Sequence, residues 1–158
     1  MAVVAELGGL GRSTIMTPPE IVALLKTALD DQTEERVVRR LELVDASTLF
    51  QVLFPLSVRA QGEEPVLSAA RVLYKLNVRC PITCSAAVSE LLSSWDVSLE
   101  EVPFYLAKQF GASEVLRVVG ELEASISLPD QKASLGTVRY WMGCYQEMQI
   151  YRFTHDER

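Results

Sequence analysis

A block of this sequence occurs twice, and the repetition constrains the fold more than any other feature. From Arg36 a helix-like pattern runs to Val44, followed by Asp45-Ala46-Ser47, an apolar run, Gly62 and a further apolar run. From Ala86 the order returns: a helix-like pattern to Trp95, Asp96-Val97-Ser98, an apolar run, Gly111 and another. Val37, Leu41, Val44, Asp45, Ser47 and Leu53 correspond to Val88, Leu92, Trp95, Asp96, Ser98 and Phe104 at a constant offset of 51. After a shortening of two residues, Val66, Leu67, Ala70 and Leu73 face Val115, Leu116, Val119 and Leu122. A three-helix unit cannot bury its own apolar faces, whereas two stacked units with an extra helix at each end make a continuous core. Two origins fit the likeness, a true duplication or two amphipathic stretches that share a period.

The pattern along the chain predicts eight helices and no sheet, because no stretch sustains period-two alternation. Thr17 with Pro18-Pro19 signals the first helix, from about Pro18 to Asp31, with Ile21, Leu24, Leu25 and Ala28 on one face. The second opens at Thr33, whose hydroxyl is placed to cap, and buries Val37, Leu41 and Val44. The third follows Ser47 and is apolar nearly all round, so it needs cover on more than one side, and Pro55 should bend or split it. Gly62 ends that helix, and Pro65 stands in the first turn of the fourth. A fifth starts at Pro81, and the sixth at the apparent capping box Ser98-Leu99-Glu100-Glu101, with Pro103 early in it. The seventh follows Gly111, and the eighth runs from about Gln131 to Arg152. These spans give a flexible arm over residues 1–16, one helical domain over 17–152 and a tail over 153–158.

In unit length, helix length and apolar spacing, residues 18–150 resemble the HEAT and armadillo group of α-helical repeat proteins. A proline within one helix of the unit, as at Pro55, is similar to what HEAT units often show. The chain departs from that group in having two recognisable units and no ladder of one polar residue per repeat. The resemblance implies an all-α fold, a right-handed stack of about eight antiparallel helices forming a HEAT-like superhelix, used as a binding scaffold. It carries over no functional residues.

Charge and composition exclude several classes. At 158 residues and 49% hydrophobic content the chain has enough apolar surface for one domain that buries roughly 70% of its unfolded area. A net charge of −6 argues against general nucleic-acid binding and against adsorption on anionic membranes. No run of apolar residues approaches the roughly 18 needed to span a bilayer. The first ten residues lack the basic start and apolar run of a secretory signal, and the three cysteines form an odd set, so a cytoplasmic setting is expected.

The motifs that invite chemistry each meet a plainer reading. Gly9-Leu10-Gly11-Arg12-Ser13-Thr14 lacks the first glycine and the lysine of a phosphate loop, and Pro18-Pro19 delays the helix such a loop requires. Cys80 and Cys84 have a C-x₃-C spacing rather than that of a zinc ribbon, and Cys84 near a helix start is the one thiol placed for a lowered pKa. The single histidine, His155, stands four residues from the end, where nothing holds it as a base. Glu34/Glu35, Glu63/Glu64 and Glu100/Glu101 are adjacent pairs near helix starts, where the helix dipole explains them. No catalytic residue, metal or cofactor is assigned.

Two surfaces are candidates for protein binding. Arg36, Arg39 and Arg40 cluster on the polar side of the second helix, either as a solvated face or as a contact for an acidic partner. In the eighth helix, Val138, Trp141, Tyr145 and Met148 make a core stripe, which leaves Tyr140, Met142 and Tyr151 off it. Exposed tyrosine and methionine suit a binding surface, for a partner protein or for a homodimer through this helix. The function expected is a non-catalytic protein-interaction or scaffold module. The alternative is a regulatory domain with a small-molecule site in a groove between helices.

Overall fold

The computed structural model describes residues 15–59 and 65–155, with the side chains of 65, 66 and 153–155 left aside. It is all-helical: α1 Pro18–Leu25, α2 Asp31–Leu41, α3 Ala46–Val58, α4 Pro65–Leu76, α5 Cys84–Ser94, α6 Glu101–Phe110, α7 Ala112–Ser125 and α8 Pro129–His155. Among the described residues there is no strand, and no helix is long and apolar enough to cross a membrane. The glycine-rich segment over 9–14, Gly62, the side chain of His155 and the last three residues lie outside what is described.

Helix starts follow local capping chemistry, though not always at the residue expected. The backbone N–H of Thr17 donates to Glu20 at 2.7 Å, and α1 ends at Leu25, short of the expected Asp31, where the N–H groups of Thr27 and Ala28 donate to the carbonyls three residues back, Leu24 at 3.0 Å and Leu25 at 3.1 Å. Thr33 does not open α2. Asp30 does, its carboxylate accepting from Thr33 N–H at 2.8 Å while Thr33 Oγ1 accepts from Asp30 N–H at 3.0 Å. Asp45 caps α3 by accepting from both the N–H and the hydroxyl of Thr48, at 2.8 and 2.6 Å. α5 starts at Cys84, capped by Thr83, and not at Pro81 as expected. The expected box at Ser98 is absent, because Asp96 takes both the N–H and the hydroxyl of Ser98, at 2.9 and 2.7 Å. α6 then starts at Glu101 with no side-chain cap.

Pro55 does not split α3. The N–H it lacks would have bonded the carbonyl of Gln51, and Gln51 lies on the exposed side, where water can serve that group. Gly111, at φ 86°, separates α6 from α7 in a conformation that a side chain would strain.

Packing echoes the sequence repeat. α1 packs on α3 as α4 packs on α6, and α2 on α4 as α5 on α7. α3 likewise packs on α4 and α5, as α6 does on α7 and α8. Val37 and Val88, Val44 and Trp95, Leu53 and Phe104, and Ala70 and Val119 are buried in both blocks. The middle helix of each block is the most enclosed: Leu49, Phe50, Leu53 and Phe54 in α3, and Phe104, Tyr105 and Leu106 in α6. Phe54 and Tyr105 bring α3 and α6 together, their rings 6.4 Å apart. The Tyr105 hydroxyl, on a fully buried side chain, donates to the Val78 carbonyl at 2.8 Å.

α8 begins two residues before the expected span and ends three after it. Its buried face is Leu135, Val138 and Met142, with Trp141 and Tyr145 partly buried beside them. Met142, expected to be exposed, is fully buried, whereas Met148 is 37% exposed. α8 lies against α5, α6 and α7 together, so it buries a broader arc than one neighbour would cover. The difference is measurable. Met142→Ala should cost about 2–5 kcal/mol in chemical denaturation, whereas Tyr140→Ser, at a side chain 63% exposed, should stay within about 0.5 kcal/mol.

Candidate functional site

An open groove of about 330 Å³ lies between α2, α4, α6 and the end of α8. Its wall is ionic. Glu34 sits on the inner face of α2 in register with Val37, Val38 and Leu41 and is 3% exposed. Burying a carboxylate there requires a partner, and α4 supplies two at i, i+4 spacing. Lys75 Nζ lies 2.6 Å from Glu34, and Arg71 lies 3.8 Å from Glu34 and 3.5 Å from Glu101 of α6. The chain of charges Lys75–Glu34–Arg71–Glu101 ties three helices together along the groove.

The floor is aromatic. The Phe104 ring lies 6.3 Å from that of Tyr74, 5.5 Å from Tyr145 and edge-on to Trp141 at 6.0 Å. Trp141 Nε1 donates to the Val97 carbonyl at 3.0 Å, which fixes α8 to the loop before α6. Lys108 Nζ stands 3.7 Å above the Tyr74 ring and donates to the Tyr74 carbonyl at 3.1 Å. Burial, and then the charge of Arg152, pull Lys108 below the ordinary lysine range. Met148 and Arg152 of α8 close that side of the groove, while Asp31 and Glu100 stand exposed on its rim.

The sequence candidates fall around this groove rather than in it. Tyr140 and Tyr151 are both 63% exposed on α8. Tyr151 is three residues from Met148 and next to Arg152, and a hydrogen bond with Cys144 is the chief cause that raises the Tyr140 phenol. Tyr151 thus adjoins the groove through Arg152, whereas Tyr140 borders a separate hollow with Arg139, Cys144 and Glu147. Met142 faces the core and is no part of it. Arg36, Arg39 and Arg40 are exposed, on the far side of α2 from Glu34. Arg39 pairs with Glu35 at 3.5 Å, and Arg40 borders a hollow with Met16 and Leu24 of the α1 side. Residues of the groove wall escaped sequence reasoning. The one available signal was a glutamate at position 34 inside an apolar i, i+3, i+4, i+7 stripe.

Cys84 is the first residue of α5, yet its thiol is pushed up to about 11, chiefly by burial and then by the charge of Glu114. Burial raises Cys80 as well, and both side chains are enclosed, whereas Cys144 is half-buried on α8. Among the described residues no group of three or more His, Cys, Asp or Glu side chains is arranged to hold a metal ion.

Compared with known protein families, with curated proteins and with solved structures, the chain finds no match.

Two measurements test this geometry. Lys75→Met should destabilise the fold by about 2–3 kcal/mol, and Glu34→Gln by less. The first leaves a carboxylate that is 5% exposed, the second leaves cations that are 40% and 45% exposed and can rehydrate. In the folded protein at pH 7.5, iodoacetamide should label Cys144 readily and Cys80 and Cys84 only after denaturation. With a folded pKa of about 11, Cys84 holds about a thousandth of its thiol as thiolate at pH 8. Its labelling rate should climb about tenfold per pH unit above that.

Proposed function

We propose that this chain is a non-catalytic protein-interaction module of the α-helical repeat type. It receives a partner in the α2–α4–α6–α8 groove and along the tyrosine edge of α8. The observation that carries the reading is the groove itself, an open, aromatic-floored concavity whose inner carboxylates Glu34 and Glu101 each end on a cation. Charges neutralised in this way hold helices in place and shape a surface. Tyr140 and Tyr151 add exposed aromatic area beside it, the residue type that dominates binding energy at protein interfaces. A curved HEAT-like superhelix in a cytoplasmic setting is the context this reading assumes.

The second reading, a regulatory small-molecule site, draws on the same groove, whose size lies at the lower end of the roughly 300–1,000 Å³ of ligand pockets. The open mouth favours a macromolecular occupant, since small ligands are held where most of their surface is enclosed.

The test is affinity capture from native extract with wild-type protein, a Tyr140→Ser/Tyr151→Ser variant and a Met148→Asp variant, together with sedimentation velocity of each. A partner, or a second copy of the chain, retained by the wild type and lost from either variant at unchanged melting temperature supports the reading. Identical recovery and identical sedimentation across all three overturns it.

A further inference from the structure

The hollow on the outer face of α8 holds about 510 Å³ and is lined by Gly136, Arg139, Tyr140, Gly143, Cys144 and Glu147, all of that helix. Glycine holds helical backbone poorly, so two glycines in the body of α8 weaken it. Among the described residues nothing accounts for them. A side-chain carbon built on Gly136 or Gly143 would meet no atom within 4 Å, so no neighbouring helix demands the space. The side chains beside the glycines are held to either flank. Arg139 bonds Glu123 of α7 at 2.7 Å, and on the other flank the Tyr140 hydroxyl is engaged by Cys144. A seam floored by backbone is left between them.

The charges along this seam are complementary to themselves. Arg139 and Glu147 stand four residues before and four after Gly143, and both line the hollow with it. Gly136 and Ile150 stand seven before and seven after, within about 20° of the same line along the helix. Ile150 is 65% exposed. A two-fold axis through Gly143, across α8, therefore sets each Arg139 against the partner's Glu147 and each Ile150 over the partner's Gly136. A parallel copy would set arginine on arginine and glutamate on glutamate.

Resting on the interaction-module reading above, we infer that the outer face of α8 receives a second copy of this chain, its own α8 laid antiparallel across Gly143. The glycines let the two backbones approach closely, the isoleucine fills the space a glycine leaves, and the charge pairs fix direction. The Arg139 guanidinium has five donors, so it meets the partner's Glu147 without releasing Glu123. Met148 and Arg152, which line the groove, lie about 140° and 180° round the helix from Gly143, so the seam is filled without occupying the groove.

The test is sedimentation velocity of the purified chain across a wide concentration range reaching high micromolar. Reducing agent is kept present, so that no Cys144 disulfide contributes. The wild type should sediment as a dimer at the upper end of the range. Gly143→Leu should hold or raise the melting temperature, since leucine is the better helix former, and yet keep the chain monomeric. Glu147→Arg and Arg139→Glu should each weaken self-association about tenfold or more. An equimolar mixture of those two variants should recover it, because each chain then meets the opposite charge at both pairs. Glu42→Arg makes the same change of charge at an exposed position just past α2 and should leave association unchanged. A wild type that stays monomeric overturns the inference, as does a Gly143→Leu dimer or a mixture that fails to associate. Equal weakening by Glu42→Arg would reduce the effect to net charge and overturn it too. A monomer throughout with partner capture intact removes this inference alone, whereas loss of both removes the interaction-module reading as well.

Discussion

α6 has to be covered on every side, and much of the structure is arranged to do that. Val102 through Ala107 are all buried, with Phe104 and Tyr105 adjacent in sequence and directed to different neighbours. Tyr105 turns toward α3 and donates its hydroxyl to Val78, whereas Phe104 turns toward α4 and α8, among Tyr74, Trp141 and Tyr145. The last turn of α6, with Lys108 exposed and Gln109 partly buried, satisfies the connecting backbone. Gln109 accepts from Cys80 N–H at 2.9 Å and donates to Asn77 at 2.7 Å, and Lys108 reaches the Tyr74 carbonyl. The loop from Asn77 to Cys80, with Asn77 at φ 50°, is held against α6 by side chains of α6 itself.

The groove follows from that enclosure. α4 and α8 both pack on α6, and α2 packs on α4, so a concavity is left with α6 as its floor. What lines it is then set by helical spacing. Arg71 and Lys75 fall four apart on α4 and reach the same carboxylate on α2. Met148 and Arg152 fall four apart on α8. The ion pairs contribute little where the cations are 40–45% exposed, yet the carboxylate of Glu34 is deep enough that removing its partners is costly. The network therefore works more as a positional constraint on three helices than as a source of stability.

Sequence periodicity located the eight helices seen among the described residues, because amphipathic spacing is a local signal that tertiary packing then uses. It misplaced their ends where two capping groups compete. Asp30 and Thr33 are three apart and satisfy each other's N–H groups, so either alone reads as a helix start, and only the folded turn shows that the aspartate is outermost. At Ser98 the competitor stands two residues upstream, and Asp96 captured the hydroxyl that the following helix needed. Met142 was misjudged by geometry, not by residue type. An eighth helix with one neighbour would bury a narrow stripe, but one laid across α5, α6 and α7 buries an arc that reaches Met142 and lets Met148 out. For Cys84, its place at a helix start argued for a lowered pKa, but burial prevails and raises it. A half-turn of helix dipole is a weak influence beside removal of a thiolate from water.

The groove was least legible because its partners are far apart in sequence. Glu34 reads in the sequence as a carboxylate near a helix start that the dipole explains, and nothing local pairs it with Arg71 or Lys75, or pairs Arg71 with Glu101, until α2, α4 and α6 meet. The tyrosine edge of α8 was legible for the opposite reason, since Tyr140 and Tyr151 are exposed by the pitch of their own helix. The two sets meet at the end of α8, where Tyr151 and Arg152 are neighbours and only Arg152 lines the groove. The surface at this end of the fold is thus assembled half from one helix's periodicity and half from distant ion pairs. It also means that a substitution in α4 can reshape the groove from a distance, by releasing Glu34 and with it the wall that α2 contributes.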